Sequence, residues 1–372
     1  MKPILIIIAV LTLAACQPND KKVNQENQGF GFYVGTYTDT ISQGIYRYLL
    51  LNDGTLKRIS LAAKTVNPSF LTMTADKKYL VAVNEINKDG AGTVESYLIT
   101  GDSLSIISRS SSGGAHPCFV SVNDANFVLV ANYTGGNMGL LRLNDKGELT
   151  NLLDVEQHTG HGTTERQQSP HVHSAWFLKN SNKIISVDLG TNELWFSKLD
   201  AIEQKLKSLN PPTLKMNDGA GPRHLTFHPN RKWIYVINEL DFTVTMIKKN
   251  DDGKYEKGNS VSSLPVGFTE PNTSADIHIS SDGKFLYASN RGHNSIAIFE
   301  VNSTDGSLKL IANESTRGKA PRNFSLSPDE NYLLVANQLT SNIVSFKRDK
   351  NTGLLSYAAQ IDAPTPVCIL FN

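Results

Sequence analysis

Apolar positions along this chain come in short bursts separated by polar turns, and the spacing expected of amphipathic helices is largely absent. Runs over residues 79–83, 127–131, 233–237 and 285–288 are rich in β-branched and aromatic residues and end in turn formers, which predicts strands. Between later bursts stand Asp53-Gly54, Lys146-Gly147, Asp252-Gly253, Asp305-Gly306 and Thr352-Gly353, where glycine supplies the positive φ a tight hairpin needs. Hairpins, not helical crossovers, should therefore join neighbouring strands.

The bursts form a repeat. Its clearest copy is Pro321-Arg322-Asn323-Phe324-Ser325-Leu326, a turn at Ser327-Pro328-Asp329-Glu330, and a second strand from Tyr332 to Asn337 and Gln338, followed by two more strands. Other copies start at Pro68, Pro117, Pro170, Pro222, Ser274 and Pro366, with successive spacings of 49, 53, 52, 52, 47 and 45 residues. That period suits a four-stranded propeller blade. Residues 366–371 read as an inner strand with nothing after it, and Phe32-Tyr33-Val34-Gly35-Thr36 as a second strand with nothing before it. Joined, they complete a seventh blade and leave the ring without open edges. The expected fold is an all-β, seven-bladed β-propeller over residues 29–372, with four antiparallel strands per blade.

Composition adds exclusions. Hydrophobic residues make up 40% and charged residues 19%, enough for a substantial core, and a net charge of +1 without basic runs argues against nucleic acid as a partner. Residues 1–16 have a different character: Lys2, an apolar stretch over 4–13, then Leu13-Ala14-Ala15-Cys16, which resembles a bacterial lipobox whose Cys16 is lipidated after cleavage of the signal peptide. The stretch is too short to span a membrane as a helix. Residues 17–28 are polar and read as a flexible tether. The expectation is an exported lipoprotein, periplasmic or anchored at the outer membrane, touching lipid only through its N-terminus, and a monomer or weak oligomer. The two remaining cysteines, Cys118 and Cys368, are expected to be buried thiols rather than a bridge.

Breaks in the repeat point to chemistry. With the copies aligned on their starting residues, the second position reads Ser69, Cys118, His171, Arg223, Ala275, Arg322 and Val367, and the fourth is apolar except at His173. The residue after the last Asn, or Asp188, of the second strand reads Glu85, Tyr133, Leu189, Glu239, Arg291 and Gln338. In an antiparallel pair the start of one strand lies beside the end of the next, so both sets should meet on one face around the central channel. Period-two alternation would point His171 and His173 to the same side. The result is a cationic basin with one or two titratable bases. Neither the spacing of His158, His161, His171 and His173 nor any carboxylate motif matches a zinc pattern, and no cofactor or metal is expected. There is no G-x-S-x-G elbow.

The motifs Tyr33-Val34-Gly35-Thr36-Tyr37, the segment from Glu165 and Arg166 through Ser169-Pro170-His171-Val172-His173-Ser174, Asp188-Leu189-Gly190-Thr191, Gly221-Pro222-Arg223-His224-Leu225, Asn238-Glu239, Ser289-Asn290-Arg291-Gly292 and Pro321-Arg322-Asn323-Phe324 together resemble the bacterial lactonase family of seven-bladed propellers, which includes 6-phosphogluconolactonases and carboxymuconate cyclases (the cycloisomerase 2 group). The resemblance covers essentially everything after residue 30. It implies a metal-independent hydrolase of carbohydrate metabolism that opens a sugar lactone, with His173, Glu239, Arg223 and Arg291 as the reacting set and His171 as the alternative to His173. His171, Arg322, Asp188, Arg166 and Glu85 are the candidate substrate-binding residues. Glu239 or His173 would activate water, and the arginines would bind an oxyanion or a substrate anion. Two other readings remain open: a carboxymuconate-type cyclase or isomerase, and a non-catalytic exported propeller that binds carbohydrate or protein. Export sits poorly with a phosphorylated lactone of the cytosol and favours a lactone met outside it.

Overall fold

The second strand of most blades is apolar throughout because a neighbouring blade covers each of its faces, and Phe127–Asn132, Trp233–Asn238 and Tyr332–Asn337 are buried at every position. A computed structural model describes residues 29–372. The expected signal peptide, Cys16 and the expected tether lie outside the described residues. Seven four-stranded antiparallel sheets make up the ring. Blade 1 joins Pro366–Phe371 to Gly29–Thr36, Gly44–Leu51 and Leu56–Lys64, and blades 2 to 7 follow in chain order. Their inner strands are Leu71–Met73, Pro117–Val122, Val172–Phe177, Pro222–Phe227, Thr273–Ile279 and Pro321–Leu326.

Ring closure follows the expected pairing, with Phe32 opposite Phe371, Tyr33 opposite Leu370 and Val34 opposite Ile369. Two recurring devices join one blade to the next. The Asn ending a second strand donates its amide to the segment leaving the previous blade: Asn132 Nδ2 to Ser112 O at 2.9 Å, Asn290 to Ser263 O at 3.0 Å, Asn337 to Thr316 O at 3.0 Å. The recurring Asn is therefore a structural clamp. The hairpin glycines are the second device. Gly54, Gly147, Gly306 and Gly353 all have positive φ, and a Cβ on them would strike Tyr332, Tyr79, Trp233 and Phe285, the aromatic at the start of the previous blade's second strand.

Blade 4 breaks this rule by placing Lys183 where five blades place an aromatic ring, so Gly253 in blade 5 meets only Lys249 Cε at 3.9 Å. A cavity of about 100 Å³ remains there, lined by Lys183, Leu178, Phe196, Leu214, Gly253 and Tyr255 among others. Filling it with Lys183→Tyr should raise stability by roughly 1 kcal/mol and Tm by about 1–2 °C in a chain of this size. A Tm that stays put or falls in a thermal melt would mean the gap cannot accept a ring.

Candidate active site

The inner strands do not start regularly. In blades 3, 4, 5 and 7 the pairing slips by one residue between the first and third positions, at Pro117/Phe119, Val172/Ser174, Pro222/His224 and Pro321/Asn323. The extra residues are Cys118, His173, Arg223 and Arg322. A bulge leaves its extra residue unpaired and turns its side chain out of the ladder, which here means toward the channel mouth. This corrects the alignment read from sequence. Val172 pairs with Asp188 as Pro117 pairs with Asn132 and Pro222 with Asn238, so the blade 4 copy starts at Val172 and not at Pro170. His173 thus occupies the position of the arginines. His171 falls before the strand.

A cavity of about 310 Å³ opens at this mouth, lined by Tyr37, Glu85, Cys118, Tyr133, Arg166, His173, Glu239, Thr273, Arg291 and Arg322. Glu239 is buried at its centre and holds three guanidiniums. Its Oε1 accepts from Arg166 Nη2 at 3.0 Å, and its Oε2 accepts from Arg223 Nε at 3.0 Å and forms an ion pair with Arg291 Nη2 at 2.9 Å. Burial pushes the Glu239 carboxyl up, but Arg291, Arg223 and Arg166 override it and hold the group down to about 2. Arg291 also reaches Ser274 O at 3.1 Å, while its buried Nε has no partner among the described residues. Among the described residues Arg322 forms no ion pair, and its guanidinium lies 5.4 Å from the Tyr37 ring centre, with the Tyr37 hydroxyl donating to Glu85 at 2.8 Å. Four guanidiniums thus face two carboxylates, and the cavity keeps a positive surplus.

His173 lies in this field as a neutral ring. Burial, then Arg223, His224, Arg322 and Arg291, hold it well below the ordinary imidazole value. Its Nδ1 sits 3.7 Å from Cys118 Sγ, and its Nε2 makes no hydrogen bond to protein among the described residues. The Cys118 thiol is pushed up by burial and is a protonated lining group. Arg166 arrives on the loop before blade 4, where a short helical turn, Glu165–Gln167, is fixed by buried Gln167 donating to Leu189 O at 2.8 Å. Its other hydrogen bond is to the Tyr133 hydroxyl at 3.0 Å.

Two expected substrate binders are elsewhere. Asp188 is sealed from solvent, and its Oδ1 accepts from the backbone N–H of His171, Gly190 and Thr191 at 2.8–2.9 Å, so its acceptor capacity is spent on the turn. His171 stacks on Tyr133 with ring centres 4.5 Å apart, and its Nδ1 meets Tyr133 O at 3.0 Å; it supports the lining without forming part of it. His158 and His161 also diverge, one buried and the other exposed. The other Asp188 oxygen completes a Ser186–His158–Asp188 array with separations of 3.3 and 2.7 Å, the spacing of a hydrolytic triad. All three residues are inaccessible and Trp195 stacks on the imidazole at 4.0 Å, so no substrate can reach the Ser186 hydroxyl.

Sequence reasoning placed Cys118 and Tyr133 in the ring around the channel without giving them a role, and it did not place Tyr37 or Thr273 there. Tyr37 had a readable signal. It follows Thr36 as Glu85 follows Asn84, and so belongs to the same ring of positions in the blade built from both chain ends.

Comparison with known proteins places residues 31–371 in a match to the family described as "Lactonase, 7-bladed beta-propeller". The chain is 38% identical over 348 residues to a protein of Bacillus subtilis named 6-phosphogluconolactonase, covering 91% of this chain and 97% of that one. A solved structure described as the periplasmic gluconolactonase of Pseudomonas aeruginosa superposes with a TM-score of 0.88 at 30% identity, covering 92% of this chain and 99% of that one. One from Lactobacillus plantarum gives 0.86 at 34% identity, covering 92% and 99%.

Proposed function

Because the chain belongs to the lactonase family of seven-bladed β-propellers, we propose that it opens a sugar lactone by hydrolysis in the arginine basin. The observation that carries this reading is a His173 whose Nε2 has no protein partner among the described residues, facing a cavity in which Glu239 is already committed to three arginines. With its oxygens already held by Arg166, Arg223 and Arg291, Glu239 is poorly placed to accept a proton from water. His173, with a free Nε2, is the better general base. It takes a proton from water as hydroxide adds to the lactone carbonyl. The tetrahedral oxyanion accepts from the Arg291 guanidinium, which lines the cavity and is fixed beforehand by its ties to Glu239 and Ser274. The ring C–O bond then breaks, and its oxygen takes the proton back from the imidazolium.

Arg322, which pairs with no carboxylate among the described residues, binds the substrate's hydroxyl-rich or anionic end. The N-terminal sequence favours a substrate met outside the cytoplasm, and the Pseudomonas relative is described as a periplasmic gluconolactonase. Glucono-δ-lactone is accordingly the first substrate to assay. Proton release above the spontaneous rate is expected, and the absence of any enzymatic rate on this lactone or its 6-phosphate would overturn the proposal. Arg322→Ala should raise KM about 10- to 100-fold, the worth of a charged hydrogen bond, with kcat within about threefold. A loss confined to kcat would place Arg322 at the reacting carbonyl instead.

A further inference from the structure

Beneath the basin lies a second layer of side chains from the third positions of the inner strands, and one member is a buried carboxylate, Asp276. Its counterparts are Phe70, Phe119, Ser174, His224, Asn323 and Cys368, none of them acidic. Burying an ionised carboxylate is costly unless every oxygen is used, and here every oxygen is. Oδ2 accepts from Asn323 Nδ2 at 2.6 Å, His278 Nε2 at 3.1 Å and Phe324 N at 3.3 Å. Oδ1 accepts from Ile277 N at 3.0 Å and meets His224 Nδ1 at 2.8 Å.

The last contact reaches the basin. A carboxylate at Nδ1 makes that nitrogen the N–H donor, which leaves His224 Nε2 as a lone pair. That lone pair faces Arg223 Nη1 at 3.5 Å. The same Nη1 donates to the carbonyl of Ala275, next to Asp276 in the chain. One short segment therefore holds Arg223 twice, directly through Ala275 and indirectly through Asp276 and His224. Arg223 in turn holds Glu239 through its Nε at 3.0 Å. His224 is kept neutral by burial and by Arg223, against the pull of Asp276, at a value of about 4, with His173 and His278 the other titratable rings beside it.

We propose that Asp276 is a positioning residue for the basin: through the tautomer it imposes on His224 it fixes the guanidinium of Arg223 and hence the Arg223–Glu239 pair. The kinetic consequence rests on the lactonase reading, and the tautomer does not. In Asp276→Asn an amide nitrogen turned toward His224 forces the proton to Nε2 and points an N–H at the guanidinium. An amide oxygen turned that way instead leaves Asn323 and the Phe324 N–H facing a donor.

The test uses the full chain and three variants, Asp276→Asn, His224→Asn and the double variant. His224→Asn keeps a donor toward Asp276 but removes the link to Arg223. Expected are a fall in kcat of about 10- to 100-fold in each single variant, KM within about threefold, Tm held within a few degrees, and a double variant no slower than His224→Asn. Nitrogen-15 spectra should show His224 as the Nδ1–H tautomer and a slowly exchanging Arg223 Nε–H in the parent, with both signatures lost in Asp276→Asn. Should that variant fail to fold, His224→Asn and the parent spectrum still decide the matter. Unchanged kcat in either folded variant, losses that multiply in the double variant, or an Nε2–H tautomer in the parent would overturn the proposal. A parent without lactone hydrolysis would fail the functional reading alone, and the spectra would still judge Asp276.

Discussion

Glu239→Gln is expected to cut kcat/KM by about 10³-fold or more, since misaligning even one oxyanion donor typically costs 10²–10³ and this residue aligns three arginines. The replacement has nearly the same shape and no charge. Whichever way its amide turns, an NH₂ group faces at least one guanidinium donor, so Arg166, Arg223 and Arg291 lose both their shared counter-charge and their alignment. Stability should fall by about 3 kcal/mol, at the lower end for removal of one partner from a buried ion pair, because the cavity lets water reach the orphaned cations. The deficit should depend on pH in a defined direction. The folded value of about 2 lies below the ordinary 4.5, so the carboxylate's contribution is complete above about pH 4.5 and fades as pH falls toward 2. Parent and variant should therefore converge in acid denaturation. Activity within tenfold of the parent would remove Glu239 from the machinery, and a stability gap that widens toward pH 2 would contradict its pairing.

Deleting residues 366–372 should leave no cooperatively folded protein. The segment is the inner strand of blade 1, and Val367, Cys368 and Ile369 are buried in it, with Ile369 N also donating to Asn323 at 2.6 Å. Val367, Ile369, Leu370 and Phe371 contribute roughly 1.5–3 kcal/mol apiece where they are covered, a sum of the same order as the whole stability of a typical domain, about 5–15 kcal/mol. The cut also strips one face from Tyr33 and Val34, both fully buried in the intact ring. A soluble product with a sharp thermal transition would mean that six blades suffice.

Much of this fold could be read from the chain because the same physical problem is solved seven times: a strand covered on both faces must be apolar throughout, and a hairpin glycine under an aromatic ring must be a glycine. Tyr332, Trp233 and their hairpin glycines make that pattern visible without coordinates. The site was less legible. Its side chains are aimed by bulges, and a bulge changes direction without changing composition, so nothing in the sequence distinguishes Arg223 as the extra residue of its pair. In blade 4 the Pro170 that marks the repeat lies two residues before the first strand position, and counting from it puts His171 where His173 stands. Asp188 had the residue type of a ligand, but its acceptor capacity was spent in the turn. The link from Asp276 through His224 to Arg223 joins blades 6 and 5 across a layer that no local pattern describes.

The pairing of Gly29–Thr36 with Pro366–Phe371 also sets a clock on biosynthesis. A ribosome adding about 5–20 residues per second needs roughly 20–70 s to travel from the first of these strands to the second. Throughout that interval Gly29–Thr36 has one neighbour and a bare row of backbone donors and acceptors, available to any extended chain nearby. The product most prone to aggregation is therefore not a destabilised full-length chain but a nearly finished one, stopped a few codons short of its partner strand.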